Sequence, residues 1–116
     1  MTTAAILFAV AALGGLAMAA MRLSGRELPP MGLAIVHGLF AASGLVALIV
    51  ALVGHGFTLV PTLALLGFLG AALGGFYLFS LHLRRQALPV SAVVGHGLFA
   101  VASFVVLLAA IFYFAR

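Results

Sequence analysis

Four long apolar runs, separated by short polar breaks, extend along the whole chain. They cover about residues 3–23, 31–53, 58–83 and 90–115. Each run is continuous, and at a helical rise of about 1.5 Å per residue it is long enough to cross a hydrocarbon core of about 30 Å. Strands of a membrane barrel are about half as long and alternate apolar with polar residues. The pattern therefore predicts four transmembrane α-helices.

The polar breaks at residues 24–30, 54–57 and 84–89 are too short for anything but tight connections. Each break ends in proline or is soon followed by one, near a predicted helix start, where the missing N–H of proline costs little. Short connections make consecutive helices antiparallel neighbours. We therefore predict an all-α integral membrane protein, an up-down bundle of four transmembrane helices that forms a single membrane domain over residues 1–116.

The chain contains one two-helix pattern twice. The segment AALGG at 11–15 recurs at 71–75, and HGLFA at 37–41 recurs at 96–100. The one-residue difference between the two offsets lies where Pro29 and Pro30 face Pro89 alone. We predict two tandem two-helix repeats, residues 3–53 and 58–115. Because each repeat has an even number of spans, a pseudo-twofold axis along the membrane normal should relate them.

Composition supports the membrane class and excludes several functions. Hydrophobic residues make up 67% of the chain and charged residues 5%, with a mean hydropathy of +1.46, whereas soluble domains carry about 25% charged residues. A net charge of only +4 argues against nucleic-acid binding. The absence of cysteine excludes thiolate metal sites. The one acid, Glu27, lies in a linker, so no catalytic set can be assembled within the spans. We expect no independent enzymatic activity.

The arginines predict the orientation. Arg22, Arg26, Arg84 and Arg85 flank the first and third breaks, which lie on one side, whereas the other side carries Arg116 and an uncharged turn around His55. The positive-inside rule then places both arginine linkers in the cytoplasm and both termini outside, in a bacterial inner membrane. We expect His55 to be an interfacial residue, and His82, which replaces Arg22 in the second repeat, to lie at the cytoplasmic boundary.

The repeated motifs lie at similar depths. His37 and His96 each stand seven residues after a proline, and the diglycines lie seven to ten residues before an arginine, which corresponds to about 10–15 Å of helix. In an up-down bundle the two histidine helices are diagonal to each other. We therefore predict a layer in the cytoplasmic half of the membrane, with two imidazoles opposite each other and side-chain-free walls between them.

Such a layer suits a flat tetrapyrrole. His37 and His96 would be the axial iron ligands of haem b, with arginines available to its propionates. Two neutral imidazoles alone are too few ligands for a bare ion. A bacteriochlorophyll with one histidine ligand is an alternative. The remaining candidate cofactor contacts leave room for the macrocycle edges or seal the pocket: Gly14, Gly15, Gly74, Gly75, Phe40 and Phe99.

A packing role for the histidines stands beside this hypothesis. An intramembrane histidine can bond across a helix interface to a serine such as Ser43 or Ser103, or to a backbone carbonyl. The expected function is electron transfer, to quinone or as an accessory cytochrome-like subunit among other membrane subunits. The alternatives are a structural or assembly subunit without a cofactor and a pigment-binding subunit of a photosynthetic complex.

Two known groups resemble this chain in part. In length and number of spans it is similar to the small multidrug resistance transporters, which depend on a glutamate in the first helix. Gly14 occupies that region here, and no span contains a carboxylate, so proton-coupled cation export is not indicated. The histidine layer is similar in kind to that of membrane b-type cytochromes, which implies haem and electron transfer.

Overall fold

Four long helices account for most of the chain in the computed structural model, which describes residues 1–114. They are α1 (Thr2–Leu23), α2 (Met31–His55), α3 (Leu59–Leu83) and α4 (Val90–Ala109), the last continued by a π-helical turn, Ala110–Phe114. All four are long and apolar enough to span a membrane. The predicted up-down bundle of two tandem helix pairs is confirmed. The predicted end of the fourth run, Ala115, and the terminal Arg116 lie outside the described residues.

The helix boundaries differ from the prediction mainly at the turn between α2 and α3 and near the carboxyl end. Helix α2 extends to His55 because Gly56, at a φ of 95°, is the first residue to leave the helical conformation. The α-helical hydrogen bonding of α4 ends at Ala109 and changes to the wider π pattern. Nothing in the apolar sequence of this run marks that change.

Helices α1 and α3 end in the same way at the arginine side. Gly25 and Arg85, at equivalent positions, adopt left-handed backbone conformations with φ of 102° and 57°. In each, the next residue's N–H bonds to a carbonyl five residues earlier, which closes the helix end. Glycine tolerates this conformation without cost, whereas Arg85 adopts it against the usual preference of a side-chain-bearing residue. The repeat thus preserves the backbone turn even where the residue differs.

The helices pack as two antiparallel hairpins, α1 with α2 and α3 with α4. Across the hairpins, α1 contacts α4 and α2 contacts α3. This order places α2 diagonally opposite α4 in a bundle that measures 45 × 19 × 19 Å.

The tightly packed core lies at the end of the bundle remote from the two arginine linkers. Phe8 and Phe68 stack across it with ring centroids 3.7 Å apart and planes 5° from parallel. Leu48 and Leu107 are fully buried beside them. Both pairs occupy equivalent positions of the two repeats, so the core itself follows the duplication.

The half of the bundle nearer the arginines is packed differently. Within residues 12–28, 30–43, 72–80 and 90–102, no residue is buried. The two hairpins meet again at the linkers, where the Arg22 Nε donates to the Leu88 carbonyl at 2.7 Å and the Leu88 N–H donates to the Glu27 carbonyl at 3.3 Å. The bundle is therefore closed at both ends and loosely packed at the depth of His37 and His96.

Candidate functional site

Both membrane histidines bond to a backbone carbonyl of the neighbouring helix in their own hairpin. The Nδ1 of His37 lies 2.7 Å from the Ala11 carbonyl oxygen, and the Nδ1 of His96 lies 2.8 Å from that of Ala71. A carbonyl can only accept, so Nδ1 carries the hydrogen in each ring. In the neutral imidazole this leaves Nε2 with a free lone pair.

The two imidazoles approach each other across the bundle. Their ring centroids are 6.2 Å apart and their planes are 82° from parallel, and both side chains are half-buried. The structure therefore brings together the two histidines that the sequence singles out, although 59 residues separate them along the chain.

This spacing is compatible with shared ligation of one metal ion. Two imidazole nitrogens on opposite sides of an ion, with bonds of about 2 Å, place the ring centres about 6 Å apart. A ligating histidine typically donates its other ring N–H to a carbonyl or carboxylate, which fixes its tautomer and orientation. Ala11 and Ala71 supply such carbonyls here.

The diglycines lie directly against these rings. A Cβ atom added at Gly15 would stand 3.0 Å from Cε1 of His37, and one at Gly75 would stand 3.1 Å from Cε1 of His96. The absence of side chains thus lets each imidazole lie flat on the adjacent helix and reach a carbonyl one turn earlier. Sequence reasoning assigned the diglycines to a cofactor's edge and missed their contact with the histidine rings.

The positions of the carbonyl acceptors follow from the helix register once each imidazole is known to lie on its glycine. Ala11 is four residues before Gly15, and Ala71 is four residues before Gly75, so each alanine shares a helix face with its glycine. A side chain that lies on the glycine is therefore positioned above the alanine carbonyl. The two alanines belong to the repeated segment, but no chemistry pointed to them because the bonding group is the backbone.

The predicted aromatic contacts lie farther out. Phe99 is 55% exposed, and its ring covers Gly70, where an added Cβ would stand 2.8 Å from Cε1. Phe40 is half-buried. The hydroxyls of Ser43 and Ser103 donate to carbonyls of their own helices, so neither serine holds a histidine.

The remaining histidines have different surroundings. His55 is exposed at the end of α2, with Nδ1 2.8 Å from the Ala51 carbonyl oxygen. His82 lies in the last turn of α3, at the arginine side as predicted, but its side chain is buried, at 6% exposure. It borders a cavity of about 500 Å³ that sequence reasoning did not anticipate.

The described residues include no group of three or more histidine, cysteine or acidic side chains that could hold a metal ion. A metal ion at the histidine pair would therefore need its other ligands from outside these side-chain types.

Two of the arginines use Nε for linker carbonyls, Arg22 for Leu88 and Arg26 for Leu28.

Comparison with known proteins adds no functional lead: no family model, no curated protein and no solved structure matches this chain.

Proposed function

We propose that this chain binds haem b between His37 and His96 and serves in electron transfer within the membrane. The observation that carries the proposal is the histidine pair itself. Its ring centroids are 6.2 Å apart, and each Nδ1 is bonded to a carbonyl, so both Nε2 lone pairs remain for one ion.

The ligand set favours a tetrapyrrole over a bare ion. Two neutral imidazoles supply two nitrogen ligands and no charge, so a bound iron ion would need further donors. A porphyrin would supply four nitrogens and two negative charges, which suits a site without carboxylate or thiolate. The loose packing of the bundle around the histidines, where no residue within 12–28, 30–43, 72–80 and 90–102 is buried, also favours a site for a large apolar group.

The chain's own residues would hold and orient the ligands. The carbonyls of Ala11 and Ala71 keep the hydrogen on Nδ1 and leave Nε2 free to ligate, while Gly15 and Gly75 let the rings lie against α1 and α3. Bound haem iron would supply the one-electron chemistry. Arg84, in the linker between α3 and α4, would be a cation available to its propionates.

In the cell, we place the arginine linkers in the cytoplasm, both termini outside, and the protein in a bacterial inner membrane, on the positive-inside rule. Very little of the chain extends beyond the helices. This favours an accessory cytochrome-like subunit that exchanges electrons with other membrane subunits or with quinone.

A structural role is the second candidate, and a specific observation favours it. Each histidine–carbonyl bond joins the two helices of one hairpin, which by itself stabilises a membrane helix pair by about 0.5–2 kcal/mol. In that case the protein would be a cofactor-free assembly subunit. A bacteriochlorophyll ligated by one of the two imidazoles would instead make it a pigment-binding subunit.

Visible spectroscopy of the chain purified in detergent tests the proposal. We expect a Soret band with sharp α and β bands on reduction, either as isolated or after addition of haem. Near-infrared absorption would indicate a bacteriochlorin. A preparation that retains no haem absorption after haem is added and the unbound haem removed would favour the structural role instead.

Substitution of the ligands tests the residues. His37→Ala and His96→Ala should each abolish the low-spin spectrum, because one imidazole cannot ligate both faces of the iron. His55→Ala is the matched control, since its ring is exposed at the far end of α2. Retention of an identical spectrum in all three variants would show that other residues bind the haem.

A further inference from the structure

The cavity beside His82 is an open cleft at the arginine side of the bundle, between the linker that follows α1 and the end of α3. Its volume is about 500 Å³, within the range of small-molecule sites. It is bordered by Leu28, Pro29, Met31, His82, Leu83 and Arg85. Most of its wall is therefore apolar, with one imidazole and one guanidinium as its charged or polar side chains.

His82 is the unusual member of this wall. It is 94% buried, yet the hydrogen bonds among the described residues include none from its ring. Among the described residues, every side-chain nitrogen that is fully buried has a hydrogen-bond partner. A nitrogen without a partner is therefore at least partly accessible. The ring nitrogens of His82 are thus accessible, and the cavity is the space that this side chain borders. Because neither nitrogen has a partner among the described residues, both are free to bond to an occupant of the cavity.

The two repeats differ at this cavity. The equivalent of His82 in the first repeat is Arg22, whose longer side chain reaches across to the Leu88 carbonyl. The equivalent carbonyl, that of Leu28, accepts a bond from Arg26 Nε at 3.0 Å. The shorter imidazole of His82 makes no such bond between the linkers and lies beside the cavity instead.

We propose that this cavity binds the headgroup of a quinone or quinol. A neutral ring matches the apolar wall formed by leucine, proline and methionine, and its carbonyl or hydroxyl oxygen would bond to the His82 imidazole. Arg85 would meet the second oxygen at the polar rim. The four membrane-spanning helices place the site where a lipid-dissolved molecule can reach it.

An anionic lipid headgroup is the competing ligand, and the cavity fits it less well. A phosphate is best bound by several cations or by bidentate arginine in a polar setting, whereas four of the six bordering residues are apolar. The quinone's role as redox partner rests on the proposed haem function. Its binding does not, because no residue of the cavity belongs to the histidine pair.

Nitrogen NMR of the four histidine rings tests the site in the haem-free protein. The full chain is placed in phosphatidylcholine nanodiscs and titrated with ubiquinone-1. We expect saturable shifts of the His82 ring signals and none at the exposed His55. Equal, non-saturating shifts at all four histidines would mean that the quinone only partitions into the bilayer, which would overturn the proposal.

Two variants and a lipid exchange sharpen the result. His82→Leu should weaken binding at least tenfold, and Met31→Trp, which narrows the cavity and leaves His82 in place, should do the same. Quinone binding unchanged in a folded Met31→Trp protein would contradict the site. Phosphatidylglycerol that shifts His82 and displaces ubiquinone-1 would make this an anionic-lipid site instead. The haem spectrum is read on separate samples, so failure of one proposal is distinguishable from failure of the other.

Discussion

At the scale of single residues, the two nitrogens of each membrane histidine have separate roles. The Nδ1–H of His37 donates a hydrogen bond to the Ala11 carbonyl. In a membrane, a polar hydrogen without such a partner is costly. That carbonyl still serves its own helix, because a carbonyl oxygen has two lone pairs. The bond therefore costs α1 nothing and fixes the imidazole in the tautomer that leaves Nε2 free.

The glycine beside each histidine determines whether this arrangement forms. Gly15→Leu should displace the imidazole of His37, because even its Cβ would stand 3.0 Å from Cε1 and the rest of the side chain needs more room. We expect at least a tenfold loss of haem affinity, measured by titration of the Soret band.

Gly38→Leu is the matched control for this variant. Its Cβ would meet nothing within 4 Å, and the position is exposed, so the new side chain faces lipid. Equal haem affinity in the two variants would mean that Gly15 does not position the ligand.

At the scale of helices, each repeat brings its two helices close together at a glycine, but the glycine lies on the second helix in one repeat and on the first helix in the other. In the first repeat Gly44 on α2 makes room for Phe8, whereas in the second Gly67 on α3 makes room for Ser103, the equivalent of Gly44. Close approach through small residues is the usual means of helix association in membranes, because lipid provides no hydrophobic driving force. The duplication is visible in the sequence, but this exchange of the small residue between helices is not.

Gly44→Ala should destabilise the core. The added methyl would stand 2.9 Å from two ring carbons of Phe8, and that ring cannot retreat because it stacks on Phe68. We expect a loss of about 1–3 kcal/mol in the free energy of unfolding, measured by denaturation in mixed micelles.

Gly54→Ala, on the same helix but in open surroundings, should change this free energy little. A similar loss in both variants would attribute the effect to glycine replacement in α2 and not to the contact with Phe8.

At the scale of the whole molecule, the bundle is tightly packed at one end and tied by its linkers at the other. The Phe8–Phe68 stack closes the first end, and the bond from Arg22 to the Leu88 carbonyl joins the hairpins at the second. The histidine pair lies between them, where packing is loosest. This layout lets a central ligand contribute to stability without being needed to hold the hairpins together.

The orientation of the bundle can be tested with single cysteines, because the natural chain has none. Ser24→Cys and Gln86→Cys, in the two arginine linkers, should react with a membrane-impermeant maleimide only in inverted vesicles. Thr58→Cys, in the exposed outer turn, should react only in intact cells. The reverse pattern would place the arginine linkers outside and contradict the positive-inside assignment.

The amino-acid sequence alone was enough for the four spans, their order, the two repeats and the pairing of His37 with His96. These features follow from run length and repeat spacing, because a chain in lipid must close its backbone hydrogen bonds within each helix. The rotation of each helix about its own axis could not be read in this way. Lipid and protein interior are both apolar, so hydropathy does not mark the inward face.

Only the tertiary structure therefore decided which atoms meet. It paired Nδ1 of each histidine with a carbonyl, set the rings 6.2 Å apart, and turned the diglycines toward the imidazoles. It also buried His82 beside a cavity, whereas its counterpart Arg22 bonds to the Leu88 carbonyl. Each of these outcomes depends on the shapes of side chains on neighbouring helices, which pack as a set and have no signature in any one segment.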